Sequence, residues 1–83
     1  MDVQFRYDSE ADALFVTLRA AEGGEGGGRR LDEKRIAHVD RTGAIFAYEF
    51  LGVSTGVSLE GIDPGDTDLI RDALRPVGRL AVA

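Results

Sequence analysis

An 83-residue chain with a formal net charge of −5 and no cysteine is bounded before any pattern is read. Its length allows one domain, residues 1–83, with a thin stability margin that a second protomer would widen. The missing thiols exclude disulfide staples, thiolate metal sites and cysteine nucleophiles. The acidic balance argues against general nucleic-acid binding, which needs a basic surface to attract phosphate.

Along the chain, VQFRY (3–7) alternates strictly, with Val3, Phe5 and Tyr7 on one face and Gln4 and Arg6 on the other. Strict alternation is the mark of a half-buried strand. The opening MDVQFRYDSE has no basic segment followed by an apolar run, so it does not read as a secretory signal. No stretch approaches the roughly 20 apolar residues that span a bilayer. A cytoplasmic location is therefore expected. ALFVTLR (13–19) alternates again, with Leu14, Val16 and Leu18 facing inward, and the short DSEAD between the two runs predicts a hairpin.

That turn places Asp8, Glu10 and Asp12 at every second position. An EF-hand loop begins this way but needs glycine at its sixth position and glutamate at its twelfth. Here Ala13 and Arg19 stand there, so the trio reads as a turn, with Asp8 folding its oxygens onto backbone N–H groups. The rival reading keeps Asp8, Glu10 and Asp12, with Glu49, as a site for a divalent cation or a small enzyme.

AAEGGEGGGRR (20–30) holds five glycines in six positions. Gly23 and Gly28 have P-loop spacing, but Arg29-Arg30 follow where Lys-Ser or Lys-Thr is required. No helix follows to lend its N-terminal dipole, and Arg29 stands where a dinucleotide-binding motif needs its third glycine. A mobile surface loop is expected.

In RIAHVDRTGAIFAYEFL (35–51), Asp40-Arg41-Thr42-Gly43 predicts a type I turn with Gly43 in the left-handed region. This sets Val39 opposite Ile45, His38 opposite Phe46, Ile36 opposite Tyr48 and Arg35 opposite Glu49. Arg35 and Glu49 would form a cross-strand ion pair. Phe15, Val39, Ile45, Ala47 and Leu51 would then lie outward, more apolar surface than a solvated face carries, which marks an interface. His38 is the lone histidine and no nucleophile motif surrounds it, so a structural role is expected.

Beyond this hairpin, VSLEGI (57–62) suggests a short strand. DPGDTDLIRDALRP carries helix punctuation over about 64–75: Asp63 as N-cap, Pro64 at the first position, Asp66 in the first turn and Pro76 as stop. Leu69, Ile70, Ala73 and Leu74 are expected on its buried face. The tail VGRLAVA reads as an edge strand or a docking segment.

Tyr7-Asp8, Glu10-Ala11-Asp12, the Asp40…Gly43 hairpin and the following Glu49 resemble, over about residues 5–54, a small bacterial and archaeal family known as domain of unknown function number 2283. Ala47 stands where that family usually has glycine, and Gly52 where an acid or amide is common. The resemblance implies small stand-alone proteins, some proposed as antitoxin-like partners. The whole reading is an α+β fold: an antiparallel meander of about four strands with one C-terminal helix on one face. Such a protein is expected to be a non-enzymatic interaction module, homodimeric or the acidic partner of a basic protein. Contact is expected through Phe15, Arg35, Val39, Ile45, Glu49 and Leu51, with no cofactor, no catalytic residue, no direct nucleic-acid contact and no membrane.

Overall fold

The computed structural model describes residues 3–77, so the expectation for the tail beyond Val77 falls outside the described residues. The fold is α+β as expected, with five antiparallel strands among the described residues rather than about four. In chain order these are β1 (Gln4–Asp8), β2 (Ala13–Thr17), β3 (Glu25–Asp32), β4 (Arg35–Asp40) and β5 (Ile45–Leu51). A short 3-10 turn, Val53–Thr55, and helix α1, Pro64–Leu74, follow. The sheet order is β1-β2-β5-β4-β3, so β5 enters between β2 and β4 and two hairpins are zipped together in the middle. No helix among the described residues is long and apolar enough to cross a membrane.

One sheet face is covered. Leu14, Val16, Tyr48, Phe50 and Ala37 pack there with Val53, Val57, Leu59 and Ile62 from the chain leading to α1, and with Ile70 and Leu74 of the helix. The helix starts where the sequence says it should: the Asp63 carboxylate accepts the Gly65 and Asp66 N–H groups at 3.0 and 3.2 Å, and Pro64 stands at its first position. Its buried stripe differs from expectation. Asp66, Ile70 and Leu74 face inward at i, i+4 spacing while Leu69 stays 41% exposed. VSLEGI forms no strand beyond an isolated bridge at Val57; its alternating Val57 and Leu59, with Ile62, pack as an irregular cover on the core.

The glycine-rich segment corrects the sequence reading. It is β3, an edge strand with register shifts between Glu25 and Gly27 and between Arg30 and Asp32. Its start is tied down by the β4–β5 turn, where Arg41 N–H donates to the Glu22 and Gly24 carbonyls and Asp40 Oδ2 accepts the Glu22 N–H. Gly26 packs so closely on Asp40 that an added Cβ would lie 2.8 Å from the Asp40 carbonyl carbon. Glycine is used there for close backbone approach rather than for mobility.

The β4–β5 turn forms as predicted. Gly43 has φ 87°, its N–H donates to Asp40 O at 3.1 Å, and Asp40 N–H donates to Ala44 O at 2.9 Å. Val39 pairs with Ile45, but a β-bulge then makes Phe46 an extra residue, so His38 faces Ala47, Ile36 faces Glu49 and Arg35 faces Phe50. The expected Arg35–Glu49 ion pair therefore does not form. A bulge leaves carbonyls outside the ladder, and these need donors. The Phe46 carbonyl accepts the Leu18 N–H at 2.8 Å, and the Ile45 carbonyl accepts Arg19 Nη1 at 2.5 Å. Arg19 Nη2 continues to Asp66 Oδ1 at 2.5 Å, linking the bulge to the first turn of α1.

Candidate functional site

The bulge decides what stands on the second face of the sheet. Pairing register puts Arg6, Phe15, Glu49, Ile36 and Arg30 in one row across all five strands. A neighbouring row runs Gln4, Thr17, Ala47, His38 and Gly28. Glu49 thus sits at the centre of the face, between two apolar side chains, with a guanidinium at either end of its row. No described helix or loop covers this face, since α1 and the 53–62 segment pack on the other.

His38 is the polar hub here. Its row neighbours, Ala47 and Gly28, are the two smallest residue types, which leaves room for the ring to tilt across the strands. The imidazole meets the Phe15 ring with centroids 4.9 Å apart. Nε2 lies 3.1 Å from Glu49 Oε1 and Nδ1 3.6 Å from Glu25 Oε1. The side chain is 16% exposed, so the ring is held between a central and an edge carboxylate under partial cover. Both ring nitrogens face carboxylates, which leaves neither directed at a hydroxyl nucleophile. Arg6 lies with its guanidinium carbon 5.9 Å from the Phe15 ring centroid, a weak cation–π contact at this exposed edge. Beside it, Arg6, Asp8, Ala13, Phe15, Glu49 and Leu51 line a shallow cavity of about 160 Å³.

Of the six residues expected to contact a partner, Phe15, Glu49 and Leu51 share this face. Val39 and Ile45 do not: Ile45 packs against the covered core, and Val39, opposite it, alternates with the buried Ala37. Arg35 also lies on the covered side. It pairs with Asp32 at 2.9 Å and donates to the Ser58 and Glu60 carbonyls, clamping the 53–62 segment to the β3–β4 hairpin. Ile36 and His38, which the sequence register turns inward with Phe46, Tyr48 and Phe50, stand on this face in place of Val39 and Ile45. The signal that could have found them was the run Ile45-Phe46-Ala47, where three apolar residues in succession break strict alternation and mark a bulge.

The acidic trio builds its turn and ties it down. Asp8 Oδ1 accepts the Glu10 and Ala11 N–H groups at 3.0 and 3.2 Å, as expected. Asp12, at φ 49°, turns away to accept the Ser54 hydroxyl at 2.6 Å and the Ser54 N–H at 3.1 Å, and the Tyr7 hydroxyl donates to it at 3.1 Å. The Ser54 hydroxyl, above all, holds the Asp12 carboxyl below the usual range, and the bond to Asp12 pushes the Tyr7 hydroxyl up. Asp8 and Glu49 do share the shallow cavity, but Arg6 lines it with them. Among the described residues no group of three or more His, Asp or Glu side chains is placed to hold a metal ion.

A larger cleft of about 610 Å³ opens at the other side, lined by residues that include Lys34, Arg35, Thr55 and Ser58 over a floor of Phe50 and Val57. Its two cations hold the loop: Arg35 as above, and Lys34 with Nζ 3.4 Å from the Thr55 hydroxyl. Comparison with protein-family models, curated proteins and solved structures gives no match.

Proposed function

We propose that the protein is a non-enzymatic interaction module whose uncovered sheet face docks a basic protein partner. The observation that carries this reading is the central row, in which Glu49 stands between Phe15 and Ile36 on a face that no described element covers. An apolar pair around a carboxylate offers a partner both buried area and a fixed charge, whose pairing with a basic group would set specificity and register. The net charge of −5 adds long-range attraction for a basic surface. His38 and Glu25 hold Glu49 and its surroundings in one arrangement, so little side-chain freedom is lost on docking. The family resemblance, with its antitoxin-like partners, points the same way.

The test compares what wild type and a Glu49→Lys variant capture from cells of the native host. Leu69→Lys serves as the control, because Leu69 lies on the opposite side and is already exposed. With both variants folded by circular dichroism, a partner retained by wild type and Leu69→Lys but lost by Glu49→Lys supports the reading. A partner captured equally by all three removes it.

A further inference from the structure

We propose that β1 is a self-pairing edge, along which two copies of the chain join antiparallel about a two-fold axis through Phe5, making one ten-stranded sheet. The two edges of the sheet are built differently. β3 carries two register shifts, three successive glycines and Arg29-Arg30, all of which blunt an edge against pairing. β1 pairs with β2 without a shift, contains neither glycine nor proline, and is exposed along its whole length.

The exposed edge is also where the core runs out. Phe5 and Tyr7 stand opposite Val16 and Leu14, which are buried, yet they are themselves 45% and 52% exposed. The apolar layer of the covered face therefore extends to β1 and ends there open. Val3 packs against the core and continues the same layer.

The sequence is self-complementary about Phe5. Over residues 3–7 an antiparallel copy sets Phe5 against Phe5, Gln4 against Arg6 and Val3 against Tyr7, so no like charges face each other there and both covered faces stay on one side, while Asp8 falls opposite Asp2 at either end of the contact. An axis through Arg6 would instead oppose two guanidinium groups. The strand is already fixed by its neighbours, with the Tyr7 hydroxyl on Asp12 and Asp8 capping the following turn. Pairing adds backbone hydrogen bonds at small cost in order. The contact is short, so the dimer belongs to the weak class.

The chain has no cysteine, so one introduced thiol reports the register. Under mild oxidation Phe5→Cys is expected to give a disulfide-linked dimer. Arg6→Cys, whose two copies would lie roughly 8 Å apart in this register, is expected not to, because a disulfide needs Cα atoms within about 7 Å. Light scattering of the wild type at millimolar concentration is expected to show doubled mass. Gln4→Lys, opposite Arg6 of the second copy, should weaken the dimer several-fold and Gln4→Glu should tighten it. A single-chain mass for the wild type at that concentration overturns the proposal whatever the cysteine variants do, and protection of the β1 amides in that monomer would assign the edge to another segment of the same chain. Equal cross-linking of Phe5→Cys and Arg6→Cys also overturns it.

Discussion

Asp40 and Gly26 show how single residues fix this structure. The Asp40 carboxylate accepts the Thr42 hydroxyl at 2.6 Å, the Thr42 N–H at 2.9 Å and the Ala44 N–H at 3.2 Å, closing the turn, while its carbonyl lies against Gly26. Gly26→Ala should destabilise by about 1–3 kcal/mol, the overpacking range, because the obstacle is backbone that cannot swing aside; a denaturant titration measures it. Gly43→Val, at φ 87°, should cost about 1–2 kcal/mol through left-handed strain. The same carboxylates set an acid limit. The Thr42 hydroxyl chiefly lowers the Asp40 pKa, the Arg35 guanidinium that of Asp32, and the Ser54 hydroxyl that of Asp12. Each binds its proton more tightly when unfolded, so stability is fully present above the unfolded value of about 3.9 and is lost as pH falls through the lower folded values. Chemical denaturation at a series of pH values should show that loss beginning near pH 4, and Asp40→Asn should flatten it. A pH-independent profile below that point would contradict the assignment.

At the scale of elements, the bulge in β5 and the edge strand β3 carry the consequences. Ile45 packs against the core, so Ile45→Asp should unfold or severely destabilise the domain rather than free a folded surface variant, and far-UV circular dichroism distinguishes the two outcomes. Removing Gly24–Gly27 should likewise lower the melting temperature by several degrees, because it takes away the start of β3 and the Arg41–Gly24 hydrogen bond. A neutral deletion would mean that β3 adds nothing to the sheet. Arg19 joins the bulge to α1. Arg19→Ala strips the Ile45 carbonyl and Asp66 of a donor, and should cost roughly 1–3 kcal/mol, tempered by the partial exposure of Arg19. Tyr48, whose hydroxyl is pushed up by burial and then by Asp66 3.5 Å away, lies beside this link.

For the whole molecule, the decisive feature is that, among the described residues, a single helix and one irregular segment cover one face of a five-stranded sheet. No described element covers the other face or pairs with the outer side of β1, and the two proposed contacts use these two separate surfaces. The acidic turn lies at the surface, but Asp8 and Asp12 are engaged by backbone N–H groups and by Ser54. Added calcium or magnesium, or a chelator, should therefore leave the thermal midpoint unchanged. A rise with saturating divalent cation would show that the turn rearranges to bind it.

The sequence by itself determined the pieces whose causes lie within a few residues. Alternation marked β1 and β2, Asp8 made the first turn, Asp40 and Gly43 made the second, and Asp63 with Pro64 started the helix. It also determined the α+β class, since one amphipathic helix follows a run of alternating strands. Only the tertiary structure decided the strand order, the bulge at Phe46 and the conversion of the glycine run into β3. Each of those depends on groups distant in the chain: Arg19 and Asp66 for the bulge, Asp40 and Arg41 for β3. Local hydrogen bonds and periodicity are written in short windows of sequence, whereas an extra residue in a ladder persists only if remote donors satisfy the carbonyls it frees. That one residue exchanged Val39 and Ile45 for Ile36 and His38 on the open face, because a shift of one in a β-ladder turns every side chain beyond it to the opposite side.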